Sequence, residues 1–468
     1  MKYINKIIIV IFFVILLLPL FTFNFEEGAV SETENKVLAE NPFKIDYSNT
    51  DESFHGNLDA YLNDRLGFKD ELVYLYTVLN DKLFNRMEHP LYSYGKDGYV
   101  FGAGLSTDIE YSDYHEDFAD MILKLQTYCE ERDIPFVYAF EPAKPATIPE
   151  YIPDGTNYNR QWVDEFMEAL NKRNINYVDN TKMLSDKMHS GEMVFNKQFD
   201  AGHWNALGAF YGVNAIVENL KEEVPTIHVN TMDEMDVSEA TATHLPVSNF
   251  PIDEDFPVIK PKFEADYSKT DEYVNELELD EDYSTFYYYE NEKRKEEGAP
   301  RALVFQGSYM NEYGYPFFSN CFSEYIYIHD YQNIINMDYY VNIFKPDCVI
   351  FEMAEYTFND IYFSQEKMRN INFNRSLESV KREVLSEKTE YADTNDITIK
   401  EGKALTKITW NTEAVFDSVW FLMNQGYDMR KCEEGYEVTV LSEDYKNYKD
   451  DISIVTLKDS NLVEFNFN

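Results

Sequence analysis

The sequence predicts an α/β fold with a mainly parallel sheet, and three observations carry that reading. Amphipathic helical segments alternate with short apolar runs along most of residues 51–396. The runs are rich in Val, Ile, Phe and Tyr, the side chains that fill strands buried on both faces. The residues with the most suggestive chemistry fall just past the ends of such runs, where α/β sheets place reactive groups.

Taken in order, Ile7 to Phe23 is uncharged and almost wholly apolar, with Lys2 and Lys6 on its amino side. That length just suffices for a spanning helix, and the lysines favour a cytoplasmic amino end. The expectation is a signal anchor over residues 1–23 that leaves the bulk of the chain outside the cell. A cleaved signal peptide followed by secretion is the alternative, although no small-x-small site follows Phe23. Residues 24–50 are acidic and polar, a tether.

Residues 51–220 read as the first part of the α/β domain. Phe54, Leu58, Tyr61, Leu62 and Leu66 share a helical face, and a second helix runs from Lys69 to Phe84. Asp97-Gly98 between short apolar stretches predicts a hairpin over Tyr94 to Phe101. Helices over 114–132, 159–173 and 206–220 then alternate with strands over 134–140 and 175–178. Glu141-Pro-Ala-Lys144 is a loop at the carboxyl end of the first of those strands.

Composition shifts at residues 221–300, where Pro, Asp and Glu accumulate, as in Pro251-Ile-Asp-Glu-Asp-Phe-Pro257. This stretch is expected to be an acidic, loop-rich insertion with few strands. Alternation resumes over 301–396, the second part of the domain, with strands at 302–305, 325–328 and 348–352. Residues 397–468 read as a small β-rich part interrupted by a helix-like Glu413 to Gln425.

A formal net charge of -44 argues against a nucleic-acid partner, whose phosphates demand a basic face. It also disfavours anionic polymers unless divalent cations intervene. The 37 Tyr and 34 Phe suit a large core first and stacking on sugar rings second. Cys129, Cys321, Cys348 and Cys432 are too widely spaced for a metal-ligand pattern or a disulfide framework. Buried free thiols are expected, with one disulfide as the alternative. The histidines are scattered and form no metal set, so neither metal nor cofactor is expected.

Two motifs carry chemistry. Arg301 to Phe305 ends at Gln306-Gly307-Ser308, and a glycine there lets the chain turn and expose the Ser308 hydroxyl. Serine needs a base and a group to orient that base. Asp200-Ala-Gly-His203 offers both, a carboxylate and an imidazole close enough in sequence to meet at one loop. Trp204 reads as core and Asn205 as the cap of the helix that follows.

The order of Asp64-Arg65-Leu-Gly-Phe68, Gly95-Lys-Asp-Gly-Tyr-Val-Phe101, Pro142-Ala-Lys144, Asp200-x-x-His203-Trp204 and strand-Gly307-Ser308 resembles the AlgX/AlgJ-type SGNH-hydrolase-like proteins, including the group named for a DHHW motif. The resemblance covers roughly Phe54 to Glu355, apart from the acidic insertion. It implies an SGNH-like three-layer core and O-acetylation of an extracellular polysaccharide, with acetyl groups delivered by a membrane-bound O-acyltransferase. It implies Ser308 as nucleophile, His203 as general base and acid, and Asp200 as the group that orients the imidazole. Lys144, Gly307, Tyr309 and Asn311 are the candidates for binding substrate or the oxyanion. The chain departs from the family in Gln306-Gly307, where a Gly-Asp or Arg-Asp pair is usual, and in Asp-x-x-His where many relatives have Asp-x-His. A carbohydrate esterase with the same triad, and a non-catalytic polysaccharide-binding scaffold, are the alternatives.

Overall fold

The structure is a computed structural model that describes residues 2–31, 36–45, 47, 53–84, 86–87, 91–102, 104–105, 109–246, 250–383, 390–394 and 396–467. Its centre is a six-stranded sheet. In chain order the strands are β1 (Phe136–Glu141), β2 (Tyr177–Asp179), β3 (Phe286–Glu290), β4 (Arg301–Gln306), β5 (Glu324–His329) and β6 (Cys348–Ala354). Across the sheet they run β2-β1-β6-β4-β5-β3. The first five are parallel, and β3 closes the edge antiparallel to β5.

Strand periodicity divides the core between the two faces. Tyr138, Phe140, Leu303, Phe305, Val349 and Phe351 meet Phe118, Ile122 and Leu125 of α1 (Asp113–Glu130) and Phe166 and Leu170 of α2 (Gln161–Lys172). Val137, Ala139, Ala302, Val304, Cys348 and Ile350 meet Val213, Ile216 and Val217 of α3 (Ala206–Lys221). This is the mixed α/β class that the alternation predicts, and it brings the carboxyl ends of β1, β6 and β4 side by side.

The acidic stretch is more regular than its composition suggests. Met235–His244 and Pro251–Pro261 pair as a long antiparallel ribbon, and Phe286–Glu290 joins the central sheet. A two-stranded ribbon has two free edges, so Pro257 costs little there and acidic side chains can face water. Polar residues thus hid a strand pattern. A second correction concerns Glu413 to Gln425, where Ser418–Leu422 is a strand paired with Ser453–Lys458. Its run Ser-Val-Trp-Phe-Leu is too short for periodicity to decide, and cross-strand packing does so.

The C-terminal strands form two sheets around Ile408, Val419, Phe421, Tyr427, Val438 and Ile454. Asp428 ties them to the α/β layer by accepting from Arg132 at 2.9 Å and Tyr128 at 2.7 Å. All four cysteines are free, three buried and Cys432 half-buried. Lys2–Phe21 is one helix of 20 residues. Among the described residues no helix is long and apolar enough to cross a membrane.

Candidate active site

Beyond Gln306 the chain turns and Ser308 opens a helical run that continues to Ser319. Met310–Gly314 forms a wide π turn within it. A Cβ at Gly314 would lie 2.2 Å from Met310 Sδ, so the methionine side chain packs over the end of that turn. Gly307 behaves otherwise. Its φ is not left-handed, and an added Cβ would make ordinary contact with Asp330 Oδ1 at 3.6 Å. The turn before Ser308 therefore does not need a glycine, contrary to the reading from sequence. The Gly307 N–H is also committed, donating to Glu352 Oε2 at 2.9 Å, so it is not an oxyanion donor. Gln306 is fully buried and satisfied: Oε1 accepts from Tyr325 Oη at 2.5 Å and Nε2 donates to Asn311 Oδ1 at 3.3 Å.

The second motif lies on the loop before α3. Asn205 caps that helix, its Oδ1 accepting from the N–H groups of Leu207 at 3.0 Å and Gly208 at 3.2 Å. Trp204 is buried flat against α3, where a Cβ on Gly212 would come within 2.2 Å of its ring. Asp200 holds a left-handed φ of 54°, a conformation that Asp tolerates better than bulkier residues. Its Oδ1 accepts from the backbone N–H of His203 at 3.0 Å and of Gly202 at 3.3 Å. From the acidic ribbon, Glu254 accepts from three successive N–H groups, Lys197 at 2.5 Å, Gln198 at 2.8 Å and Phe199 at 2.6 Å. Glu254 thus fixes the approach to Asp200.

The two loops meet at the hydroxyl. Ser308 Oγ lies 3.0 Å from His203 Nε2, and His203 Nδ1 lies 2.9 Å from Asp200 Oδ1 and 3.1 Å from Oδ2. Tyr356 Oη is hydrogen-bonded to Ser308 Oγ and sits 3.4 Å from His203 Nε2. Burial alone would depress the His203 pKa, but the hydrogen bond and charge of Asp200 outweigh it and raise it above the ordinary value. Burial would likewise raise Asp200, yet His203 and the two backbone donors hold its carboxyl below its usual range. Burial raises the Tyr356 phenol, against the lowering bond to Ser308. A neutral phenol can donate to Oγ while the serine proton points at His203. Such a set can deprotonate a hydroxyl for nucleophilic attack.

The other expected site residues go elsewhere. Lys144 is fully buried in a short helix, Lys144–Thr147, and donates to the carbonyls of Val100 at 2.7 Å and Lys197 at 3.2 Å. Burial lowers its pKa to about 7, against Glu254 and Asp200. It braces the Tyr92–Gly102 hairpin under the histidine loop. Tyr309 is also fully buried, donating to the carbonyls of Pro142 at 2.8 Å and Gly202 at 2.7 Å, so it does not line a groove. Asn311 stands one turn beyond Ser308 and borders a neighbouring cavity.

Three buried carboxyls lie beneath the serine turn, two of them not singled out in the sequence and the third, Glu141, ending a strand where a loop was expected. Glu141 and Glu352 sit on the adjacent strands β1 and β6, and Asp330 just past β5; all three are fully buried. Burial pushes Glu141 up to about 8 although the Asn180 amide opposes it, and burial likewise raises Glu352 and Asp330. Asp330 Oδ1 is 3.2 Å from His329 Nδ1, without a well-formed hydrogen bond at either oxygen. Among the described residues no group of three or more His, Cys, Asp or Glu is arranged to hold a metal ion. Tyr356 had a usable signal, since it follows β6 as Ser308 follows β4. Glu254 had none within so many acids.

No family model and no curated protein matches the chain. Among solved structures it is similar to Bacillus cereus PatB1 with a sulfonyl adduct, at 15% identity over 57% of this chain and 95% of that one, with a TM-score of 0.44. It is also similar to the O-acetyltransferase domain of Pseudomonas putida AlgJ, at 14% identity over 60% and 99% of the two chains, with a TM-score of 0.42. A DHHW family protein from Eubacterium siraeum is similar at 17% identity, covering 61% of this chain and 97% of that one, with a TM-score of 0.42.

Proposed function

We propose that this protein is an extracytoplasmic O-acetyltransferase that carries an acetyl group on Ser308 and passes it to a hydroxyl of a cell-surface or secreted polysaccharide. One observation carries the reading: Ser308 Oγ, His203 Nε2 at 3.0 Å, and Asp200 2.9 Å from His203 Nδ1 form a continuous hydrogen-bonded set. His203 takes the serine proton as Oγ attacks the donor's carbonyl carbon, then gives it to the departing group, leaving acetyl-Ser308. A sugar hydroxyl next loses its proton to His203 and attacks the acetyl carbon. Serine leaves and recovers the proton, while Asp200 stabilises the imidazolium that forms in each half-reaction. Water in place of the sugar would make the protein an esterase with the same residues.

The sequence resemblance suggests a membrane-bound O-acyltransferase as the source of the acetyl group and an SGNH-like catalytic core. The apolar run Ile7 to Phe23 and the acidic residues after it support residues 1–23 as an anchor and 24–50 as a tether, although no described helix is long and apolar enough to cross a membrane. The test is to incubate the full chain with p-nitrophenyl acetate and neutral oligosaccharides and to follow products by mass spectrometry. Acetylated oligosaccharide that disappears in Ser308→Ala supports the proposal. Free acetate alone reassigns the protein as an esterase, and no turnover of any kind rejects both.

A further inference from the structure

A cavity of about 600 Å³ opens beside the serine turn, and phenols dominate its wall. Tyr267, Tyr287, Tyr289, Tyr315 and Tyr327 line it together with Phe263. Strand alternation explains the supply: Phe286 and Tyr288 of β3 enter the core, which turns Tyr287 and Tyr289 to the opposite face. There Tyr287 stacks on Tyr327 with rings 16° from parallel, and Tyr289 stacks on Tyr315 at 25°. The first stack fixes the Tyr287 ring, which remains 38% exposed; Phe263 at 41% and Tyr267 at 61% stand exposed on the same wall, Tyr267 tilted against Tyr289 at 6.1 Å. Large rings gathered on one wall and left open to water are the side chains whose covering by a ligand yields most.

The rest of the wall narrows the ligand. Asn311, Thr285 and Ser319 add amide and hydroxyl groups between the rings. Among the described residues, and apart from the tyrosines, the ionisable groups there are Lys260 and Glu264, which offset one another. Asn311 Oδ1 accepts from Gln306 and Ser319 Oγ donates to the Pro316 carbonyl, which leaves the Asn311 amide nitrogen and the Ser319 hydroxyl oxygen for a ligand. An acyl chain could use neither, and a polyanion would face a chain of net charge -44. A sugar ring has apolar C–H faces for the phenol rings and equatorial hydroxyls for the rim. The cavity also lies near the proposed chemistry, because Asn311 on its wall follows Ser308 by three residues, about 4.5 Å along a helix axis.

We infer that this cavity is the binding site for an uncharged polysaccharide segment, held by stacking on Tyr267, Tyr287 and Phe263. The assignment rests on the acyl-transfer reading for its place in the reaction, but binding itself needs no chemistry. The test is calorimetric titration of the full chain, carrying Ser308→Ala, in detergent with cellohexaose, xylohexaose and chitin hexasaccharide, beside hexagalacturonate as an anionic control. At least one neutral hexamer binds, and Tyr267→Ala and Tyr287→Ala each weaken it about tenfold. Tyr448→Ala, an exposed tyrosine of the C-terminal part, leaves binding unchanged, and melting curves establish that all variants fold. Failure of every neutral hexamer to bind, preference for hexagalacturonate, or unchanged affinity in both cavity variants overturns the inference. A chain that binds neutral hexamer through these rings but transfers no acetyl group keeps the inference and ends the acyl-transfer reading. The reverse pattern ends the inference alone.

Discussion

Trp204 Nε1 donates to the Tyr309 carbonyl at 3.0 Å, and the Tyr309 phenol donates back to the Gly202 carbonyl at 2.7 Å. The neighbours of His203 are thereby bonded to the neighbour of Ser308, so the spacing of the imidazole and the hydroxyl is set by a buried clamp. Tyr309→Phe leaves the Gly202 and Pro142 carbonyls without this donor, at a cost of about 1–3 kcal/mol in folding stability. Reaction at Ser308 slows in parallel as the histidine loop loosens. Urea unfolding and acylation rates check this. An unchanged midpoint with an unchanged rate contradicts the clamp.

The Asp200–His203 pair gives opposite signs for stability and reactivity. His203, raised above its unfolded value of about 6.5, adds stability that is complete below that pH and is lost as pH rises through the folded value. Asp200, held below about 3.9, adds stability that is present above that value and is lost as pH falls through its folded value. Reactivity needs neutral His203 and therefore rises with pH through a midpoint above 6.5. Asp200→Asn moves that midpoint down and slows acylation by about 10⁴. A pH–rate profile measures both, and an unshifted midpoint in the variant contradicts the pairing.

Glu254 connects the acidic ribbon to the site through its bonds to the N–H groups of Lys197, Gln198 and Phe199. Glu254→Ala strands those donors and lowers stability by about 1–3 kcal/mol, with slower acylation at Ser308. Glu254→Gln keeps one acceptor oxygen and recovers part of both losses. Equal effects of the two substitutions would show that the carboxylate oxygens do not hold this loop.

Glu141 and Glu352 make the opposite pH statement to Asp200. Their folded pKa values are raised, Glu141 to about 8, so the native state keeps protons that the unfolded chain releases above about 4.3. Their contribution to stability therefore falls as pH rises through that window. Glu141→Gln with Glu352→Gln flattens the decline between about pH 4.5 and 6, below the His203 titration, as read by unfolding at several pH values. A double variant with the slope of the parent shows that these carboxyls are not the cause.

Much of the fold was legible because the central strands are apolar on both faces and the helices between them are amphipathic. Strands such as Arg301–Gln306 and Glu324–His329 fall where the apolar runs place them. The ribbon of Met235–His244 and Pro251–Pro261 was obscured because water-facing strands with free edges tolerate Pro, Asp and Glu. At the site, Asp200, His203 and Ser308 announced themselves by residue type and flanks. Lys144 misled because a loop lysine is normally solvated, whereas here two backbone carbonyls and the Phe101 and Tyr99 rings enclose it. Tyr309 misled because adjacency to the nucleophile along the chain says nothing of direction, and the helix turns its ring inward. Glu254 reaches the site through contacts of long sequence separation that no local pattern encodes, whereas Tyr356 stands just past a strand's carboxyl end as Ser308 does.

The central claim is that Ser308 is a nucleophile activated by His203. The most direct measurement is labelling of the full chain with a serine-directed fluorophosphonate, beside Ser308→Ala and His203→Ala, with the modified residue located by peptide mass. The account predicts that the parent labels at Ser308, Ser308→Ala does not, and His203→Ala labels far more slowly. A folded parent that stays unlabelled, or one labelled at another residue, contradicts it and leaves a polysaccharide-binding scaffold as the better description.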